Sequence, residues 1–221
     1  MKKSLLFFAS LLLLFSAFSC TKPEPESPDE RIEEKNQPIT QATSKDEGGK
    51  QPKLFKISDL WQIKMRREIP YPFKVYILQL EDGNWFYLRR LNFEGELHIG
   101  DEINFSFYNN VPNEIAQIHY IKCNGGASAK ENAHKAAIGT YLVATDPIEA
   151  DVKNMFVLKM RYALPFTPIE TVVIETTDGN LIHVKASKLP ETNSQDLKIG
   201  DHFVYNVYTI FPNEVVAIKK L

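Results

Sequence analysis

The chain has 221 residues, 43% of them apolar and 24% charged, with a net charge of −2. That is an ordinary globular balance, and it excludes a wholly disordered chain, a collagen-like chain and, with two cysteines, a disulfide scaffold. The absence of net positive charge counts against a nucleic-acid partner.

Met1-Lys2-Lys3 is a short basic start, and Leu5 to Phe18 is an apolar run broken only by Ser10 and Ser16. The run is shorter than the ~20 residues a spanning helix needs. It reads as the basic and hydrophobic regions of a secretory signal over residues 1–19. The run ends in Ala17-Phe18-Ser19-Cys20. Here the sequence resembles bacterial lipoproteins, whose signals end in a small residue followed by an invariant Cys. Ala17 and Phe18 stand where the commonest pattern carries Leu and a small residue. The resemblance implies a diacylglycerol thioether on Cys20, cleavage before it and acylation of the new amine. It therefore implies a membrane partner reached through that lipid, and a place in the bacterial cell envelope, at the outer membrane. With Cys20 lipidated, Cys123 reads as a spare thiol in a Cys-Asn-Gly-Gly loop, because no base can be placed beside it.

Residues 21–50 carry eight acidic and five basic side chains, four prolines and no aromatic. Such a segment cannot bury enough apolar surface to offset its ordering entropy. Residues 20–52 are thus expected to be the lipidated Cys and a disordered stalk, with a reach on the order of 30 Å.

The remainder is an internal repeat. Ile63-Lys64-Met65-Arg66 returns as Leu158-Lys159-Met160-Arg161, and Asp82-Gly83-Asn84 returns as Asp178-Gly179-Asn180. Leu97-x-Ile99-Gly100-Asp101 returns as Leu197-x-Ile199-Gly200-Asp201. Pro112-Asn113-Glu114-Ile115 returns as Pro212-Asn213-Glu214-Val215. Two copies of one small domain follow, over residues 53–121 and 148–221. Each copy alternates Val/Ile/Tyr/Phe-rich runs with turn signals. Strands are expected near 60–67, 73–80, 84–90, 102–109 and 114–121, and again near 155–162, 169–176, 180–186, 202–209 and 214–220. The fold class is all-β. Five strands per copy suit a small barrel of the OB or SH3-like kind, or a compact sandwich. Between the copies, residues 122–147 form a connector. Ser128-Ala129-Lys130-Glu131 is a capping-box pattern before Ala-rich sequence, so one short helix is expected there. Residues 140–146 can add a strand to the second copy.

A three-residue hairpin loop, Glu81-Asp82-Gly83 or Thr177-Asp178-Gly179, pairs Leu78 with Phe86 and Ile174 with Ile182. That register gives an inner face of Tyr76, Leu78, Phe86 and Leu88, matched by Val172, Ile174, Ile182 and Val184. Strand four adds Ile103, Phe105 and Phe107, matched by Phe203, Tyr205 and Val207. The Ile-Gly-Asp step reads as a tight turn, with Gly for backbone freedom and Asp bonding local amides.

The outer face then carries Val75, Ile77, Trp85, Tyr87 and Arg89 in the first copy, against Thr171, Val173, Leu181, His183 and Lys185 in the second. Trp85, Tyr87 and Arg89 form an aromatic row with a cation, which could stack on a sugar and hold an anionic group. The competing reading packs the same row against the other copy. No nucleophile signature, phosphate loop or metal-ligand spacing is present, so the sequence implies no enzyme, no cofactor and no metal. Glu114 and Glu214 read as part of a turn into strand five, and Met-Arg as alternating positions along strand one. The expectation is a non-catalytic envelope lipoprotein binding a glycan, a peptide or an envelope protein. The alternative is an assembly subunit that docks apolar outer positions (Ile77, Val173, Leu181) into a larger envelope complex.

Overall fold

The computed structural model describes residues 38–39, 53–66, 72–138, 141–161, 167–189 and 196–221. The signal, Cys20 and most of the stalk lie outside the described residues. Eleven strands are described: β1 (Pro38–Ile39), β2 (Phe55–Arg66), β3 (Pro72–Leu80), β4 (Trp85–Arg89), β5 (Glu102–Tyr108), β6 (Val111–Lys122), β7 (Ile148–Arg161), β8 (Pro168–Thr176), β9 (Leu181–Lys185), β10 (His202–Tyr208) and β11 (Phe211–Lys220). The only helical turns among the described residues are of the 3-10 type, at Arg90–Asn92 and Ala186–Lys188.

The repeat builds two barrels of one topology. In the first, β2 pairs with β3, β3 with β4, and β4 with β6, while β5 pairs with both β6 and β2. In the second, β7, β8, β9, β11 and β10 close in the same order. The β4–β6 and β9–β11 contacts are parallel, at Tyr87–Glu114 and His183–Glu214. Strand three beside strand five, and strand four closing onto strand one, is the OB-like order rather than an SH3-like meander. The first strand of each barrel is long, and a register shift at Ile57/Asp59 or Val152/Asn154 bends it. The bend lets one strand serve both sides of the barrel.

Local chemistry sets the turns. Leu78 faces Phe86 and Ile174 faces Ile182, the register of the three-residue loop. Gly83 and Gly179 sit at φ 85° and 82°, where a side chain would be strained. The Asp82 carboxylate caps the turn by accepting from the Asn84 amide at 3.0 Å. Asp101 accepts from the amides of His98 (2.8 Å) and Asn124 (2.9 Å), and Asp201 accepts from that of Lys198 (2.7 Å). Gly100 and Gly200 then donate to Ile57 and Val152, tying this turn to the first strand of each barrel. Tyr76, Leu78 and Leu88 are buried inside the first barrel with Ile103 and Phe105. Val172, Ile174, Ile182 and Val184 are buried inside the second with Phe203, Tyr205 and Val207.

Three expectations are corrected. The connector forms no helix over its described residues, 123–138 and 141–147. Instead Lys130 bridges to Trp61 and Ser128 to His98. Gln62 donates to the Lys130 carbonyl, and the Lys130 amide donates to Leu60, both at 2.8 Å. Backbone groups spent on the first barrel cannot nucleate a short helix. Within the stalk, Pro38–Ile39 is a strand pairing with Tyr108 and Phe107 of β5. Finally, Cys123 is disulfide-bonded rather than a spare thiol; its partner lies outside the described residues.

Candidate functional site

Among the described residues there are three apolar clusters where two barrels need only two. The third combines both barrels: Trp61, Ile63, Met65, Val75, Ile77, Tyr87 and Val111 with Leu158, Met160, Val173 and Leu181. These are outer-face residues, so the barrels are joined face to face by an apolar seam. Tyr87 is 1% exposed, and Trp85 stacks on Phe156 with centroids 3.8 Å apart and planes 7° from parallel. The row Trp85, Tyr87, Arg89 is therefore not an open ligand face. That expectation is corrected: the row packs against the other copy. The apolar outer positions Ile77, Val173 and Leu181 are covered by the chain itself.

The seam has an approximate two-fold relation, visible in its hydrogen bonds. The Asn213 carboxamide accepts from the Lys64 amide at 3.1 Å and donates to the Leu181 carbonyl at 2.7 Å. The Asn113 carboxamide accepts from the Lys159 amide at 3.3 Å and donates to the Trp85 carbonyl at 3.2 Å. Lys64 corresponds to Lys159 and Trp85 to Leu181, so each asparagine holds its own barrel and the other one. Asn132 of the connector adds a third clamp, donating to Pro212 and accepting from the Leu181 amide.

At one end of the seam, Glu114 is fully buried (0% exposed). Arg161 of the second barrel grips it through Nε at 2.7 Å and Nη2 at 2.8 Å. The Tyr87 hydroxyl donates to the same carboxylate at 2.5 Å and accepts from the Arg161 amide at 3.0 Å. Arg89 Nε lies 2.9 Å from Glu114 Oε1, close enough for ion pairing but off the hydrogen-bond axis. The Arg161 guanidinium also stacks over Tyr108 at 4.3 Å. Burial, and then the Glu114 charge, push the Tyr87 hydroxyl far above its ordinary pKa, so it stays a phenol. Burial opposes the Arg161 charge, but Glu114 more than offsets it and the guanidinium is held protonated. Arg89 Nη2 also donates to Glu114 at 3.4 Å, so Tyr87, Arg89 and Arg161 interlock on one buried carboxylate. The Pro-Asn-Glu and Met-Arg recurrences were visible in the sequence; their meeting across the seam was not.

What stays open is the rim. A depression of about 440 Å³ lies where the seam meets solvent, lined by Gly83, Asn84, Trp85, Phe86, Phe107, Pro112, Asn113 and Val157. It draws on the hairpin tip, on β5 and β6, and on β7 of the other barrel. Val157 is 56% exposed there, an unusual position for a strand valine. Among the described residues no group of three His, Cys, Asp or Glu side chains could hold a metal ion.

No protein-family model, no curated protein and no solved structure matches the chain.

Proposed function

We propose that the protein belongs to the bacterial cell envelope and that its tandem barrels act there as one non-catalytic binding module. The observation that carries this reading is the rim depression. Its lining combines the apolar residues Trp85, Phe86, Phe107, Pro112 and Val157 with Asn84 and Asn113. Concave apolar surface with a few polar groups suits a peptide or glycan segment of the cell envelope. The test is a titration of tryptophan fluorescence with envelope glycan fragments and peptides, repeated on Val157→Glu. Val157 is solvent-facing, so the variant keeps its fold while placing a charge in the depression. Saturable binding weakened at least about tenfold in the variant supports the reading. A full panel with no response removes it.

The lipid anchor is tested separately. The chain has two cysteines, so an intrachain disulfide from Cys123 and a thioether on Cys20 exclude each other. The intact mass of protein extracted from membranes distinguishes them. A diacylglyceryl adduct on a chain beginning at Cys20 supports the anchor; an unmodified Cys20 removes it.

The assembly-subunit reading is favoured by one observation. Ile138, Tyr141, Leu142 and Val143 of the connector are exposed apolar side chains close together in the chain. A stoichiometric envelope protein co-purifying with the wild type, and lost on Tyr141→Ser/Leu142→Ser, would support it.

A further inference from the structure

The fourth strand of each barrel has an open edge, and the two barrels cover it in the same place. In the first barrel, β2 reaches β5 only at Phe55–Ile103 and Lys56–Glu102, leaving the far half of β5 uncovered on that side. Pro38 and Ile39 pair there with Tyr108 and Phe107. In the second barrel the corresponding residues are Tyr208 and Val207. Ala144 of the connector pairs with Tyr208, and the Thr145 amide donates to the Val207 carbonyl at 2.8 Å. Two unrelated stretches of sequence thus occupy equivalent positions, which makes the open edge a recurrent receiving site.

A second observation points the same way. Asn206 of β10 donates to the Thr145 carbonyl at 2.8 Å, fixing the connector in place. Its repeat counterpart is Ser106, which is 1% exposed and whose hydroxyl has no hydrogen-bond partner. A buried hydroxyl without a partner is costly. It stands where the second barrel grips its added segment.

We infer that the β5 edge at Ser106–Tyr108 is a strand-addition site whose occupant is the chain's own tether, latched by Pro38–Ile39. An unpaired strand edge invites an extended segment, and the tether supplies one in cis. The latch rests on this pairing and does not depend on the lipid anchor.

The test uses residues 20–221 produced without the signal, so that Cys20 is not lipidated and both cysteines are kept, compared by hydrogen–deuterium exchange with the same chain carrying Ile39→Pro. The added proline removes the one backbone donor that Pro38–Ile39 offers the ladder. Amides of residues 104–108 are expected to exchange at least about fivefold faster in the variant. Residues 204–208, covered by the connector, serve as the internal control and should not change. A peptide spanning residues 34–43, added in excess, should restore the protection. Equal exchange of 104–108 in both chains, with the control intact, overturns the latch. Faster exchange that the peptide fails to reverse overturns it as a docked segment.

Discussion

The Asn213 carboxamide accepts a hydrogen bond from the Lys64 amide of the other barrel at 3.1 Å, and the repeat reproduces that contact in the opposite direction from Asn113 to Lys159. One duplicated residue thus does the same job twice across an approximate two-fold axis. A two-fold contact uses one patch on both partners, so each useful residue acts in both halves. Apart from those that build the turns, the residues that recur between copies fall into two groups. Leu78, Ile103 and their counterparts fill each barrel. Lys-Met-Arg and Pro-Asn-Glu join the barrels to each other.

Removing either asparagine tests that division. Asn213 is buried and Asn113 is half-buried. Asn213→Ala leaves the Lys64 amide and the Leu181 carbonyl without their partner and is expected to cost about 2–3 kcal/mol. Asn113→Ala, nearer water, is expected to cost about 1 kcal/mol. Urea denaturation monitored by circular dichroism gives both values; equal small losses would count against Asn213 as a clamp.

Glu114 and Glu214 should not be equivalent. Glu114→Gln strips the charge partner from Arg161 and is expected to cost about 3–5 kcal/mol. Glu214 is half-buried, faces His183 where Glu114 faces Tyr87, and should cost clearly less on the same change. Chemical denaturation of both variants measures the difference.

Hairpin register, turn chemistry and barrel cores were legible in the sequence because a period of two, one positive-φ glycine and a fixed loop length allow few alternatives. Leu78 opposite Phe86 follows from those constraints alone. The seam was legible only in part. Ile77, Val173 and Leu181 announce that something covers them, but hydrophobicity does not name its partner. The connector misled because its capping-box letters are local, whereas the pairing of Lys130 with Trp61 is set by the barrel it lies against. Glu114 was hidden for the same reason: its partner Arg161 is 47 residues away, in the other copy.

The pH dependence has a definite sign at His202. The His202 imidazole donates from Nδ1 to the Asp151 carboxylate at 2.7 Å, which raises its pKa above the ordinary 6.5 against the opposing effect of desolvation. A raised pKa means the folded state holds the proton more tightly. The contribution is complete below about pH 6.5 and is lost as pH rises through the folded value. His202→Gln should flatten the stability curve above pH 6.5, most visibly at low salt, because the pair is exposed. Parallel pH curves for the two proteins would remove this assignment.

Gly126 gives a steric test. A Cβ built there would lie 1.6 Å from the Ile99 carbonyl oxygen, which is backbone and cannot turn aside. Gly126→Ala should displace the connector from the Ile99–Gly100 turn and lower the melting temperature by several degrees, about 4 °C or more. An unchanged melting temperature would mean the loop does not press on that turn.

The central claim is that the two barrels form one unit through their outer faces. A double-mutant cycle on Glu114→Gln and Arg161→Gln tests it most directly, because the two residues belong to different barrels. The account predicts that the double variant loses less stability than the sum of the singles, with a coupling of about 1–3 kcal/mol. Strict additivity would show that the barrels do not meet at this carboxylate.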